Sequence, residues 1–340
     1  MINYIISEIY INEDNINNNV RIINSFEQYK REKNIEDKID ECNYENEKEI
    51  KECIIKIDNK IIPFSYFYKF NHKGKFIIQY SFNNYLTKIN HMFNECKLIT
   101  KIDLSNFQAQ NVNNMSYLFS ECNSLVDINL SNLNTENVTN MNSLFNLCYY
   151  LKNIDFSDFN TQNVNNMSYM FFGCISLINC DLSNFNTQNV TDLCSMFFGC
   201  NSLEKVDLSS FNTQNVTNMG YMFFGCRSLI TLDLSSFNTQ NVIDMRSIFN
   251  GCYSLININL SNFNIQNVKN MSRMFNGCKS LTNIDLSNFN IQKNINIIGM
   301  FSECNSLIYI NISNFNIYNV NYNDVFLECN SLMNVNFKKI

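Results

Sequence analysis

The chain has 340 residues, 45% of them hydrophobic and only 16% charged, with a formal net charge of −6. That length allows two ordinary domains and the apolar fraction allows a continuous core. The acidic balance and the lack of a basic stripe exclude nucleic acid and anionic membrane surfaces as natural partners. No run approaches 18 consecutive apolar residues, so membrane insertion is not expected.

The opening Met-Ile-Asn-Tyr-Ile-Ile-Ser-Glu has neither a basic n-region nor an apolar core and is not read as a signal peptide. Residues 1–11 have strand character. Residues 30–49 are dense in charge and poor in apolar side chains, which fits a solvated helix or a flexible loop, with the charged loop preferred. Strands follow over 54–57, 61–67 and 75–82, separated by turn signals at Asp58-Asn59 and His72-Lys73-Gly74. Pro63, the only proline, fits an edge or a strand end. Residues 1–88, with 14 acids and 13 bases, are therefore expected to form a small, mainly β cap.

From residue 89 to 340 the sequence repeats. Cys96, Cys122, Cys148, Cys174, Cys200, Cys226, Cys252, Cys278 and Cys304 are 26 residues apart, and Cys329 follows after 25. A period of this length marks a solenoid. In residues 164–189, Val164, Met167, Met170, Phe171 and Cys174 have helical spacing, and Gly173 stands where a helix would stop in a left-handed conformation. Cys180 and Leu182 then alternate with Asn179, Asp181 and Ser183, as a strand requires. Phe185 leads into a turn of Asn186, Thr187 and Gln188. One such unit buries about nine apolar side chains, on the order of 15–25 kcal/mol, against roughly 40 kcal/mol of ordering entropy. It cannot fold alone, so about ten units must stack, their strands forming one parallel sheet. Ile128, Ile154, Val206, Leu232, Ile258, Ile284 and Ile310 are its expected inward column. The last unit drops the methionine pattern at Tyr322 and Val325, and Lys338 and Lys339 follow its strand, where lysine discourages further pairing.

Leu281-Thr-Asn-Ile284-Asp-Leu286 fits the leucine-rich-repeat strand pattern. Asn215-Val-Thr-Asn-Met-Gly-Tyr-Met-Phe-Phe-Gly-Cys226, with the later Leu232-Asp-Leu-Ser-Ser-Phe-Asn-Thr-Gln240, resembles the BspA-like leucine-rich repeats over residues 89–337. The resemblance implies an α/β, right-handed solenoid with a parallel sheet on the concave face and short helices outside, used for surface attachment and protein binding without enzymatic activity. The chain departs from the common leucine-rich-repeat consensus at its asparagine, which becomes a phenylalanine spine: Phe107, Phe159, Phe185, Phe211, Phe237, Phe263, Phe289 and Phe315.

Catalytic constellations are not visible. His72 and His91 have no cysteine at metal-ligand spacing, and Cys174, Cys180, Cys194 and Cys200 do not form paired CxxC motifs, so neither metal nor cofactor is expected. The ten in-register cysteines are read as buried, reduced thiols in a reducing compartment. Tyr117, Tyr169 and Tyr221 fall on the outer face, as packing or as interface anchors. The polar column Asp103, Asn129, Asp155, Asp181, Asp207, Asp233, Asn259, Asp285 and Asn311 is expected on the concave side. Asp155, Asp181, Lys205, Asp207, Thr231, Asp233, Asn257 and Asn259 are the candidate binding residues there. The expected function is a monomeric, cytoplasmic scaffold that binds a protein partner. The rivals are an adhesin-like surface protein, exported by a non-classical route and binding glycan or host protein, and an enzyme.

Overall fold

The structure is a computed structural model and describes residues 3–36, 44–291, 295–315 and 324–337. Tyr322, Lys338 and Lys339 lie outside the described residues, as does the middle of the charged segment, 37–43. The chain divides into two compact units, Met1–Val164 and Asn165–Ile340. The sequence boundary after residue 88 falls inside the first.

In the first unit, a six-stranded sheet has the order β4-β3-β6-β1-β7-β8. Its strands are β1 (Tyr4–Ile11), β3 (Ile54–Ile57), β4 (Lys60–Ile62), β6 (Gly74–Ser81), β7 (Ile99–Asp103) and β8 (Asp127–Asn129). Two more, β2 (Asn19–Arg21) and β5 (Phe67–Lys69), pair separately. β1 buries Ile5, Ser7, Ile9 and Ile11 on one side, the alternation its sequence predicts. It runs antiparallel to β7, whereas β7 and β8 run parallel in register, Ile102 beside Ile128. An antiparallel strand thus covers the free edge of the first repeat strand, and Pro63 follows the edge strand β4.

The described flanks of the charged segment are helical where the sequence favours a loop. Helix α1 (Phe26–Lys33) includes residues 30–33 and α2 (Glu47–Lys51) includes 47–49. Ser25 caps α1 by accepting from the Gln28 amide at 3.1 Å, so local capping won over charge density. Arg31 then pairs with Glu47 at 2.5 Å, which lowers the Glu47 carboxyl to about 2 with help from Tyr66 and Lys51. His91 is buried between Phe26, Tyr29 and Tyr117, stacked on the last at 4.6 Å.

The second unit carries β9 (Asn179–Asp181), β10 (Lys205–Asp207), β11 (Thr231–Asp233), β12 (Asn257–Asn259), β13 (Asn283–Asp285), β14 (Tyr309–Ile312) and β15 (Asn334–Phe337). These pair parallel as β9-β10, β11-β12 and β13-β14-β15. Nine repeat strands, β7 to β15, stand among the described residues; 153–155 is not a regular strand, although Ile154 is buried. Ile128, Leu232, Ile284 and Ile310 are buried as expected, while Val206 and Ile258 are half-buried. The repeats form a β-solenoid of parallel strands.

The expected outer helices are absent from the described repeats. Their place is taken by tight turns, for a reason visible in the hydrogen bonds. Met167, Tyr169, Phe171 and Gly173 send their N–H groups to Asp192, Cys194, Met196 and Phe198 of the next coil, at 2.6–3.2 Å. Met170 and Phe172 instead donate three residues back, to Met167 and Tyr169. A helix would send every N–H four residues back. The coil uses half of them to hold its neighbour, and Tyr169 (φ 58°) and Gly173 (φ 69°) turn the chain in the left-handed region. A ten-residue helix is marginal by itself; lateral bonding wins.

The phenylalanine spine is buried at every expected position, and Phe211 stacks on Phe237 at 6.3 Å. A second spine, Phe171, Phe197, Phe223, Phe249, Phe275 and Phe301, stacks at 5.3–6.0 Å.

Candidate interaction surface

The candidate residues occupy the exposed side of the short strands. All eight side chains are exposed. Asp155 belongs to the first unit and the other seven to the second. Lys205 lies beside Asn179 and Asp207 beside Asp181, in the β9-β10 register. Thr231 lies beside Asn257 and Asp233 beside Asn259, in the β11-β12 register. The columns are therefore real, each residue one strand away from its counterpart.

The acidic column has a structural task that spacing alone did not reveal. Oδ1 of each aspartate accepts the backbone N–H two residues on: Ser183 to Asp181 at 3.0 Å, Ser209 to Asp207 at 2.9 Å, Ser235 to Asp233 at 2.9 Å and Ser287 to Asp285 at 2.8 Å. Asn259 and Asn311 accept in the same way at 3.1 and 3.2 Å. Asp155 does so for Ser157 at 2.9 Å. These are Asx turns ending each strand. The backbone N–H bonds lower the carboxyl pKa of Asp181, Asp207 and Asp233, and at Asp285 the Ser287 side chain leads the same effect. Neighbouring carboxylates stay ionised because each is tied to a donor, which answers their mutual repulsion.

Two further columns turn corners likewise. Asn186, Asn212, Asn238 and Asn264 accept from Gln188, Gln214, Gln240 and Gln266 at 2.9–3.1 Å. Asp192, Asn218, Asp244 and Asn270 accept from Cys194, Gly220, Arg246 and Ser272 at 2.8–3.1 Å. Between them, buried Thr213 donates to the Asn238 carbonyl at 2.9 Å and accepts the Asn238 N–H at 2.8 Å. The signal in the sequence is the fixed Asx and Thr columns, whose backbone partners become evident only in the folded coil.

The cysteine column is buried as expected from Cys96 to Cys304, but Cys329 is half-exposed. Each inner thiol is also a donor: Cys200, Cys226, Cys252 and Cys278 point at the carbonyls of Phe171, Phe197, Phe223 and Phe249 at 3.1–3.2 Å. That bond explains why cysteine recurs where any small apolar residue would fill the space. Burial raises these thiols' pKa values, Cys252 to about 12.

The outer tyrosines pack more than they project. Tyr117 lies on His91, and Tyr221 lies against Phe198 and Phe224. Tyr169, near Phe172, is the more open at 39% exposure. Among the described residues no group of three or more His, Cys, Asp and Glu is arranged to hold a metal ion, and no helix is long and apolar enough to cross a membrane.

Residues 87–178, 151–255 and 228–339 each match the family described as Mycoplasma protein of unknown function, DUF285. No curated protein matches. A leucine-rich repeat protein from Bacteroides ovatus ATCC 8483 is 20% identical, with a TM-score of 0.40 over 79% of this chain and 66% of that one, so the chain spans a little under two thirds of its length. A leucine rich cell surface protein from Faecalibacterium prausnitzii A2-165 is 18% identical, with a TM-score of 0.34 over 75% and 77%. TLR13 in its complex with ssRNA13 is 18% identical, with a TM-score of 0.26 over 74% and 38%. The chain's own 26-residue coil, a short strand followed by Asx and Thr turns, bears out the resemblance to the BspA-like leucine-rich repeats.

Proposed function

The chain belongs to the DUF285 family, whose description assigns no activity, and from its own geometry we propose that it is a non-enzymatic scaffold binding a protein partner on the strand face of residues 165–340. The observation that carries this reading is the division of labour on that face. One column, Asp181, Asp207, Asp233, Asn259 and Asp285, is committed to turns. The neighbouring column, Asn179, Lys205, Thr231, Asn257, Asn283 and Tyr309, changes from coil to coil while its backbone stays fixed. A rigid frame presenting variable, exposed side chains suits recognition of an extended surface.

On these strands and the residue before each, Asp181, Glu204, Asp207, Asp233 and Asp285 stand against the single base Lys205. That sign opposes a polyanion and favours a partner with basic groups. Residues 1–88 act in this proposal as a cap, with β1 lying where another repeat strand would add. The proposed compartment is the cytoplasm, whose reducing conditions preserve thiols that serve as donors.

The test is affinity capture with the intact protein and with Thr231→Arg, Asn257→Arg and Asn283→Arg. These positions leave the turn acceptors in place, so urea midpoints should hold. Loss of the captured protein at unchanged stability supports the reading. Undiminished capture by all three variants overturns this face as the site.

A further inference from the structure

The thiol column changes character at Cys329. Cys200, Cys226, Cys252, Cys278 and Cys304 are closed off from solvent. Cys329 keeps the thiol-to-carbonyl bond, 3.0 Å to Phe301, yet it is half-exposed, as are Phe326 and Leu332 of the same coil. β14 and β15 pair in parallel with Tyr309 beside Asn334 and Ile312 beside Phe337, so residues 25 apart are stacked. Cys304 and Cys329 are 25 apart and sit in that same register: Phe301 stacks on Phe326 at 5.7 Å, and the two thiols make equivalent bonds to the Phe275 and Phe301 carbonyls at 3.1 and 3.0 Å. Adjacent parallel strands are spaced by about 5 Å, inside the Cα separation a disulfide spans.

We propose that Cys304 and Cys329 form a redox modification site, oxidised by a low-molecular-weight disulfide to an intramolecular bridge between the last two described coils. The Cys329 thiolate attacks one sulfur of the small disulfide, forming a mixed disulfide and releasing one small thiolate. Cys304 then gives up its proton, and its sulfur displaces the second small thiolate, which leaves with that proton. Two protein thiols are oxidised and one small disulfide is reduced to two thiols. Cys329 is the attacking sulfur because it is the accessible one of the two. Burial pushes up the thiols of Cys226 and Cys252, and no small disulfide reaches them. The column is thus inert from Cys200 to Cys278 and exchangeable at Cys329.

The probe is oxidised glutathione, added to the reduced, intact protein under native conditions. Free thiols are then blocked and the peptides mapped by mass spectrometry. One cross-linked species joining the Cys304 and Cys329 peptides is expected, reversed by dithiothreitol, with the inner cysteines recovered as blocked thiols. Before oxidation, Cys329 should label at least about tenfold faster than Cys226. Cys304→Ser should stop at a glutathione adduct on Cys329, a readout that does not require the bridge to form. Cys329→Ser should leave Cys304 unmodified, its circular dichroism showing that it is folded. A stable glutathione adduct on Cys329 of the unaltered protein with no bridge, or no reaction at either sulfur, would overturn the proposal.

Discussion

Replacing Asp207 separates its role in the turn from its role on the exposed face. Its Oδ1 accepts the Ser209 N–H at 2.9 Å, and the same column contains asparagines that accept at 3.1–3.2 Å. Asp207→Asn keeps an acceptor in the same position and removes only the charge. Asp207→Lys removes the acceptor and leaves the Ser209 N–H to water. A hydrogen bond of this kind contributes about 0.5–1.5 kcal/mol, with charge assistance toward the upper end. Because the side chain is exposed and water replaces the lost partner, Asp207→Lys should cost about 1 kcal/mol and Asp207→Asn no more than about 0.5. The assay is urea unfolding by circular dichroism at pH 7, comparing midpoints at constant slope. The advantage of the unaltered protein over Asp207→Asn should vanish as the Asp207 carboxyl protonates, whereas the deficit of Asp207→Lys should persist. The folded pKa lies below the unfolded value, so the charge-assisted part of the stability is present above about pH 3.9 and is lost as pH falls through the folded pKa. Equal midpoints for the lysine and asparagine variants would refute the turn argument. The column would then be a solvated face and nothing more.

Other outcomes follow from the same packing. Burial holds the His91 imidazole near a pKa of about 3, so the unfolded chain binds its proton first. Stability should fall by up to about 1.4 kcal/mol per pH unit as pH drops below about 6.5, a slope that His91→Phe should remove in melts between pH 6.5 and 4. Phe237→Ala should destabilise by about 3–5 kcal/mol in urea, since the ring is buried and stacked on Phe211; a near-zero loss would mean the spine is not core. Thr213→Val keeps the shape but deprives both the N–H and the C=O of Asn238, and should cost about 1–3 kcal/mol by thermal or chemical melt.

The repeat length, the strands and the apolar columns were legible because each rests on side-chain periodicity. Phe211, Phe237 and Cys226 are buried where the period puts them. The outer segment misled for the same reason. Leu193, Met196, Phe197 and Cys200 have helical spacing, yet the backbone between them turns through Ser195 at φ 54° and Gly199 at φ 70°. Both conformations put apolar residues on one side, and periodicity cannot tell them apart. Gly199 hints at a left-handed residue; Ser195 and Tyr169 do not. What decides is the lateral hydrogen bonding, a property of two coils together that one repeat read in isolation cannot express. At the surface the exposed column was placed correctly, but Asp207 was read for its charge, and its turn depends on the backbone N–H of Ser209. In the charged segment, the Ser25 and Gln28 pair that starts α1 lies just ahead of the residues whose charge density suggested a loop.

The polar columns and the missing helices have one cause. A coil with three corners leaves backbone groups at each corner that no ladder within the coil satisfies, and buried unpaired groups are costly. This chain fills them with short side chains: Asp207 and its column at the strand end, Asn212 and Thr213 at the next corner, Asn218 and its column at the third. The cysteine thiols serve the carbonyls of the inner phenylalanines. Asparagine, serine and threonine are thus spent on the frame, which is why a protein so poor in charge needs so many of them. Positions serving the frame repeat from coil to coil, since every coil has the same corners. Positions free of that duty can differ without loss of fold. On the strand face those are Lys205, Thr231, Asn257 and Tyr309, together with the exposed Ile230, Ile256 and Ile308 just ahead of them. In the scaffold we propose, a partner on this face would tell one coil from another by these varying residues, while the acidic column keeps the frame rigid.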